Sequence, residues 1–227
     1  MSKSLGNVFP VREILKIYHP EVLRLFMLQS HYRSPVDYSE SSLAETRSGL
    51  VRCYTTLQLL KETLGKPANT AAAANEKNLA KQQEYISKLK DLKEKFDSSL
   101  DDDFNTAQAL GSVFETVRLT NNFMAIEKNM PAAIQTNILD EAKKAFDHFG
   151  AVLGVFQDDP DHFFNFDREM EVRKRALNVG EIENLIRERQ AARAAKDWTK
   201  ADAIRQELAG LHVVLKDTTN MTSWIIE

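Results

Sequence analysis

Apolar side chains recur at intervals of three and four residues through the first two thirds of the chain, and this spacing limits the fold more than any other feature of the sequence. It predicts a helix from about Pro20, a second from about Ser41, and three further amphipathic helices after them. Gly65 and Pro67 end the second helix, and a stretch of small and polar residues, 68–75, connects it to the third. Long amphipathic helices on short connections pack as a bundle. The sequence therefore predicts a mainly α fold built on an antiparallel helical bundle.

The last fifth of the chain has a different pattern of apolar residues. Two short helices are predicted there, and Gly210 ends the second of them. Two short apolar runs, 213–215 and 224–226, flank a polar turn at 217–220, as in two strands joined by a hairpin. We therefore expect a small α/β domain with a short β-hairpin at 180–227.

The segment between the bundle and this domain interrupts the helical pattern. Aspartates surround Pro160, and a basic cluster follows further along. We interpret the segment as a linker whose three phenylalanines, Phe163, Phe164 and Phe166, pack back on the bundle. The expected divisions are a loop with connecting helices, the helical bundle, the linker and the C-terminal domain, which span residues 1–38, 39–157, 158–179 and 180–227.

Composition excludes several classes of protein. The net charge of −3 is not the strongly basic balance of a protein that coats nucleic acid, so any RNA partner must be recognised by local residues. No apolar run is long enough to span a bilayer, and the N-terminal residues are too polar for a signal peptide. The single cysteine, Cys53, rules out an internal disulfide and a multi-cysteine zinc site. These features lead us to expect a cytoplasmic protein with no membrane partner.

The first seven residues, Met-Ser-Lys-Ser-Leu-Gly-Asn, carry the strongest chemical signal. Lys3 lies between two serines, with Gly6 close behind. A loop of this kind can move and bring an ammonium group to a phosphate, where a compact cation balances the charge that builds up in phosphoryl or nucleotidyl transfer. Taken alone, these residues also fit a solvated polar N-terminus.

Four separated segments resemble one enzyme family. The N-terminal loop resembles the Lys-Met-Ser-Lys-Ser signature of class I aminoacyl-tRNA synthetases, beginning at its methionine. The segments that follow look like the cysteinyl branch, and together they cover most of the chain in the family's order: 18–26 and 31–39, then Leu-Asp-Asp-Asp-Phe-Asn-Thr at 100–106 and Ala-Lys-Asp-Trp-Thr-Lys-Ala-Asp at 195–202. The chain thus resembles the C-terminal part of cysteinyl-tRNA synthetases.

The resemblance implies a function for the whole enzyme that this chain alone is not expected to perform. In the family, a Rossmann-type domain with a His-x-Gly-His motif and a zinc ion activates cysteine with ATP, and the amino acid is then transferred to tRNA. No His-x-Gly-His occurs here. Lys3 matches the catalytic lysine of the signature, and Ser2, Ser4 and Gly6 would supply the loop's mobility. We therefore expect no cofactor in this chain, ATP and zinc in the full enzyme, and a separate catalytic domain as a partner.

The C-terminal domain holds the residues with the best claim to recognition. Trp198 and Asp202 lie four apart on a predicted helix and hence on one face, Arg193 ends the preceding helix, and Asp217 lies at the strand turn. Single-stranded loops are read by stacking bases on aromatic rings and by hydrogen bonds to base edges. In cysteinyl synthetases, the matching arginine, tryptophan and two aspartates contact the anticodon. The alternative is that Trp198 is a core anchor and Asp202 a surface charge.

Three other features have structural explanations that compete with functional ones. The aspartates 101–103 could suggest a metal, but they fit better as acidic residues at a helix start, with Asn105 in a capping-box pattern. The cluster 31–33, His-Tyr-Arg, could contact the inner bend of a tRNA or could simply end a helix. Cys53 lies on an apolar-periodic helix and is interpreted as a packing residue. No metal site is expected.

We therefore expect a monomeric, tRNA-binding C-terminal part of a cysteine–tRNA ligase, with cysteine tRNA as its partner. Two alternatives remain at this point. One is a synthetase relative that joins cysteine to a small molecule, which would lack the C-terminal domain. The other is a helical scaffold that binds proteins, with an ancestral resemblance only. The joint presence of the four recognition residues argues against the scaffold.

Overall fold

The computed structural model describes residues 10–65, 75–127, 129–217 and 222–226. Contacts between Cα atoms divide the chain into two compact units, which we call the bundle unit (residues 20–163) and the C-terminal unit (residues up to 19 together with those from 164 onward). The helices are α1 (Val11–Ile14), α2 (Pro20–Leu28), α3 (Glu40–Leu64), α4 (Glu76–Asp101), α5 (Thr106–Ile126), α6 (Ala132–Leu153), α7 (Pro160–Arg175), α8 (Val179–Ala194) and α9 (Trp198–Gly210), and the strands are β1 (Val213–Asp217) and β2 (Thr222–Ile226). The expected class, a mainly α bundle with a small α/β domain and a short hairpin, is confirmed.

The bundle unit is formed by α2 to α6. The helices α3, α5 and α6 contact one another, α4 contacts α5 and α6, and α2 contacts α3. The predicted apolar stripes face inward except at Met27, which was expected to continue the stripe of α2 but is 53% exposed. The largest fully buried side chains include Tyr54, Phe96, Phe146 and Phe149. The helix starts follow the local sequence, because Pro20 begins α2, where its missing N–H has no intrahelical partner anyway, and Ser39 caps α3 by accepting the N–H of Ser42.

A buried carboxylate ties α2 to the turn after α6. Glu21, in the first turn of α2, accepts hydrogen bonds from the Tyr54 hydroxyl (2.9 Å) and from the backbone N–H groups of Phe156 (2.7 Å) and Gln157 (2.9 Å). The side chain of Glu21 is 7% exposed. Burial and the neighbouring carboxylate of Glu21 raise the pKa of Tyr54, so its hydroxyl remains a donor. Three donors thus compensate one carboxylate that has left water.

A hydrogen bond between Asp97 and His148 joins α4 to α6. Asp97 accepts from His148 Nε2 at 2.6 Å and from Lys93 Nζ at 3.0 Å. Partial burial acts to raise the pKa of Asp97, but the hydrogen bonds from His148 and Lys93 outweigh it, and the pKa of Asp97 is lowered. The side chain of Asp97 is 40% exposed, so solvent screens this contact.

The segment predicted as a linker contains a helix instead. Helix α7 begins at Pro160, and Asp161 in its first turn and three basic residues in its last turn complement the helix dipole. The interpretation of this stretch as interrupted was therefore wrong, because Pro160 starts a helix there instead of breaking one. Phe163 is fully buried and stacks on Tyr54 with ring centroids 3.8 Å apart, which confirms the docking expected of that phenylalanine. The four predicted divisions as such stay a prediction.

The C-terminal unit has its own core. The buried side chains come from α8, α9 and both strands: Ile182, Ile186, Ile204, Leu208, Val213, Trp224 and Ile226. Val172 in the last turn of α7 and Leu177 just after that helix pack against them. The two strands are antiparallel, and Leu215 pairs with Trp224. The guanidinium of Arg168, on α7, lies 5.0 Å from the centroid of the Trp224 ring. No helix within the described ranges has the length and apolar character to cross a membrane.

Candidate functional site

The turn between α8 and α9 places the candidate recognition residues. Helix α8 ends in a turn in which the N–H of Asp197 donates to Ala192 O (2.9 Å) and that of Lys196 donates to Arg193 O (3.1 Å). These are the two hydrogen bonds of a Schellman motif. The carboxylate of Asp197 then accepts the N–H of Lys200 and caps α9. One residue, Asp197, thus closes α8 and opens α9, which fixes Trp198 at the first position of the second helix.

Trp198 lies on the surface of the C-terminal unit. It is 59% exposed, whereas Ala201, Ile204 and Leu208 on the same helix are buried. The alternative interpretation of Trp198 as a core anchor is therefore wrong. Trp224 on β2 is the buried tryptophan, 7% exposed. An exposed indole at a fixed helix start is available to a ligand.

Asp202 is exposed one turn after Trp198, as the spacing of four residues predicted. Arg205 is also exposed and lies three residues after Asp202 and seven after Trp198, so all three share one face of α9. The sequence analysis missed Arg205, although the spacing rule that paired Trp198 with Asp202 would also have found it. The face combines a ring, a carboxylate and a guanidinium.

The other two predicted recognition residues lie on other elements of the C-terminal unit. Arg193 is exposed in the last turn of α8. Asp217 is the last residue of β1 and pairs with Thr222 in the backbone ladder, but its side chain lies outside the described part of the structure. The convergence of Arg193 and Asp217 on Trp198 and Asp202 stays a prediction.

The His-Tyr-Arg cluster and the aspartate motif, interpreted separately from the sequence, meet in the bundle unit. Both terminal guanidinium nitrogens of Arg33 contact the carboxylate of Asp103, at 3.0 and 3.1 Å, and the Tyr32 hydroxyl donates to it at 2.8 Å. His31 Nε2 lies 3.7 Å from the same carboxylate. The hydrogen bond to Asp103, with some burial, raises the pKa of Tyr32. Asp103 therefore joins the segment after α2 to the turn between α4 and α5.

The aspartates 101–103 do not begin a helix, as the sequence analysis expected. Asp101 is the last residue of α4, Asp102 follows as its C-cap, and Asp103 has a left-handed backbone with φ of 55°. The expected cap at Asn105 is confirmed, because its side chain accepts the N–H of Gln108 at 3.1 Å. The acidic run ends one helix instead of starting the next, and tertiary pairing of Asp103 offsets the unfavourable helix end.

The described residues do not fit a zinc ion. Within those ranges, no group of three or more His, Cys, Asp or Glu side chains could hold a metal. Burial raises the pKa of the Cys53 thiol to about 12, which keeps it protonated and unable to act as a thiolate ligand. Ser2, Lys3, Ser4 and Gly6 lie outside the described residues, so their proposed role in an ATP-binding loop stays a prediction.

Three family models match the chain, in order along it. Residues 1–48 match the class I (C) catalytic domain of tRNA synthetases, residues 95–157 match a DALR domain, and residues 179–224 match the cysteinyl-tRNA ligase anticodon-binding domain. The last match covers α8, α9, β1 and most of β2, and so includes the exposed face of α9.

Curated relatives align over the whole chain. The cysteine–tRNA ligases of Trichlorobacter lovleyi and Geobacter sulfurreducens are each 40% identical over 227 residues, and that of Thermodesulfovibrio yellowstonii is 37% identical over 227 residues. Each alignment covers 100% of this chain and 45% of the relative, so the chain spans about half the length of the proteins it matches. The chain therefore belongs to the cysteine–tRNA ligase family and corresponds to its C-terminal part, with the DALR and anticodon-binding domains.

Proposed function

We propose that this chain is the tRNA-binding part of an enzyme that attaches cysteine to its tRNA, and that the exposed face of α9 reads the anticodon. The observation that carries the proposal is the 59% exposure of Trp198 on a domain that matches an anticodon-binding model. A large indole left in water at a rigid helix start loses burial free energy that a core position would provide. Stacking on a nucleotide base would recover that burial.

The face of α9 has the length and chemistry for a few unstacked nucleotides. Helical rise places Asp202 about 6 Å and Arg205 about 10 Å from Trp198 along the axis. The indole offers a platform for a base, and the carboxylate of Asp202 accepts hydrogen bonds from base amino groups. The guanidinium groups of Arg193 and Arg205 would donate to base acceptors or phosphates. Ring stacking would supply affinity, and Asp202 would supply discrimination between bases.

The activity of the whole enzyme requires groups that the described residues do not provide. We assign ATP and zinc to a catalytic domain with which this chain works, because neither a metal cluster nor a reactive thiol occurs in the described part of the chain. When bound there, ATP would activate the carboxyl group of cysteine. Lys3, as the match to the signature lysine, is assigned to that step in the complete enzyme. The proposed setting is the cytoplasm, and the proposed state of this chain is a monomer.

Binding of tRNA with native and substituted anticodons tests the proposal. We expect Trp198→Ala to weaken binding of cysteine tRNA by about 5- to 150-fold, since stacking of a base on an aromatic ring contributes roughly 1–3 kcal/mol. Asp202→Asn should change the preference between the two anticodons more than it lowers the affinity, because an amide presents a donor where the carboxylate presents only acceptors. Titrations at one fixed low salt concentration give both quantities.

Ile126→Ala is the control for loss of an exposed apolar side chain. Ile126 is 71% exposed at the end of α5, in the bundle unit, and its removal should leave both affinities unchanged. Circular dichroism verifies that each variant is folded. The assignment of the anticodon site to α9 fails if folded Trp198→Ala and Asp202→Asn proteins bind both tRNAs as the wild type does.

A further inference from the structure

The turn that precedes Trp198 contains a lysine in a conformation that favours glycine. Lys196 has φ of 59°, in the left-handed region, at the position of the Schellman motif where glycine is most frequent. A side chain at this position crowds the following carbonyl oxygen and lowers stability. A lysine near a helix C-terminus offsets part of this loss of stability by its interaction with the helix dipole.

Lys196 lies in the exposed turn that leads into α9. Lys196 is exposed and lies three residues after Arg193 and two before Trp198, so its Cα is within about 7 Å of that of Trp198. Within the described ranges it forms no side-chain hydrogen bond or ion pair. The carboxylate of the adjacent Asp197 accepts the N–H of Lys200, and the ammonium of Lys200 lies 3.5 Å from Glu188. The ammonium of Lys196 therefore remains available to a ligand that reaches the turn before Trp198.

We propose that Lys196 is a phosphate-contacting residue that holds the RNA backbone while a base stacks on Trp198; this inference rests on the proposed function. A lysine ammonium is a compact charge that suits a phosphate oxygen and needs no fixed approach direction. Phosphate contacts position the strand but carry no sequence information, which leaves discrimination to Asp202. The left-handed turn places the lysine at the junction of the two helices, and a glycine there would favour folding but remove the contact.

The chain contains a matched turn without a charge. At the end of α7, Ala176 has φ of 50°, the N–H of Ala176 donates to Arg173 O (3.3 Å) and that of Leu177 donates to Val172 O (3.0 Å). This is the same Schellman pattern with a non-glycine residue in the left-handed position. Ala176→Gly therefore changes backbone strain as Lys196→Gly does, without removing a cation.

The test combines melting temperature with the salt dependence of RNA binding. Wild type, Lys196→Gly, Lys196→Arg and Ala176→Gly are titrated with an anticodon stem-loop RNA of cysteine tRNA and with the same hairpin carrying a substituted anticodon, from 50 mM to 400 mM salt. Both glycine variants should raise the melting temperature by roughly 2–4 °C. Lys196→Gly alone should reduce the slope of log K against log salt by about 0.7, the value for one contact to a single strand.

The loss of RNA affinity caused by Lys196→Gly should be equal for the two hairpins, since a phosphate contact does not depend on sequence. Between 400 mM and 50 mM salt, a slope change of 0.7 corresponds to about a fourfold change in the ratio of wild-type to variant affinity, so the largest loss occurs at low salt. Lys196→Arg should bind as the wild type does. If Lys196→Gly retains the wild-type slope while the wild type discriminates between the hairpins, the inference on Lys196 is overturned and the anticodon site stands. If the wild type binds neither hairpin, both are overturned.

Discussion

Removal of the buried carboxylate of Glu21 should destabilise the bundle unit strongly. Glu21→Ala leaves two poorly accessible donors, the Tyr54 hydroxyl and the Phe156 N–H, without their acceptor. Each such group costs about 1–3 kcal/mol. The third donor, the Gln157 N–H, belongs to an exposed residue and can bond to water instead. The expected loss in free energy of unfolding is about 3–5 kcal/mol, a large share of a typical domain's stability.

Glu21→Gln should lower the free energy of unfolding less than Glu21→Ala does, by about 2–3 kcal/mol. Its amide oxygen can take the place of the Oε2 atom that accepts from Tyr54 and Phe156, but these bonds lose their charge assistance. Its amide NH₂ group then faces the Gln157 N–H, and two donors oppose each other. The order wild type, glutamine, alanine is therefore expected.

Glu76→Gln is the matched control for charge alone. Glu76 occupies the first turn of α4, as Glu21 does in α2, but it is exposed. Loss of its interaction with the helix dipole should lower the free energy of unfolding by only about 0.3–1 kcal/mol. Urea unfolding followed by circular dichroism at 222 nm measures each loss. Both tryptophans, Trp198 and Trp224, lie in the C-terminal unit, so their fluorescence reports on that unit separately.

A double-mutant cycle tests whether the loss of stability arises from the hydrogen bond between Glu21 and Tyr54. Combining Glu21→Gln with Tyr54→Phe should give a coupling energy of about 0.5–3 kcal/mol, because the two side chains share one hydrogen bond. The reasoning is refuted if Glu21→Gln costs no more than Glu76→Gln, or if the two changes are additive.

Two further predictions concern the bundle unit. Gly154→Ala should destabilise the protein by about 1–2 kcal/mol, because Gly154 has φ of 66° and the added Cβ is strained in that conformation, while the flexible Arg24 side chain can move away from it. Gly111→Ala should instead stabilise the protein by about 0.5–1 kcal/mol, since an added Cβ there meets nothing within 4 Å in the middle of α5. Thermal unfolding of both variants measures the contrast, and equal shifts would contradict it. Asp97→Asn should lower stability near neutral pH, and the difference from the wild type should vanish in acid. A carboxyl whose folded-state pKa is depressed contributes stability above its ordinary pKa of 3.8 and loses that contribution as pH falls through the lowered pKa. Unfolding curves at pH 6 and pH 2.5 test this, and a difference that persists at pH 2.5 would assign the effect to packing.

Much of the fold was predictable because amphipathic periodicity and helix-end residues are local signals. The bundle helices and the C-terminal hairpin follow from them. Helix α7 was missed because Pro160 among aspartates resembles an interruption, although proline at a first helical position is favourable. The short α1 has four residues, too few for a periodic signal.

The site was predictable only in part, because exposure and long-range pairing depend on tertiary structure. The spacing of Trp198 and Asp202 placed them on one face, but the sequence left open whether Trp198 was a recognition residue or a core anchor, and only the structure shows that it is exposed. The pairing of Arg33 with Asp103 joins residues 70 positions apart, and no local pattern encodes it. Both motifs carried the family resemblance, yet their contact could be learned only from the fold.

The left-handed residues of the two units show how backbone strain can be separated from function. In the bundle unit, strain at Asp103 is offset by the bonds of its carboxylate to Tyr32 and Arg33, and strain at Phe156 by the bond of its N–H to Glu21. Contacts that stabilise the fold therefore account for both left-handed residues, with no need for a ligand. Ala176 carries comparable strain with the smallest possible side chain, so a left-handed backbone by itself indicates no ligand. Lys196 differs because it adds a charge beside an exposed indole and finds no partner within the described ranges, and a nucleic-acid phosphate would supply one.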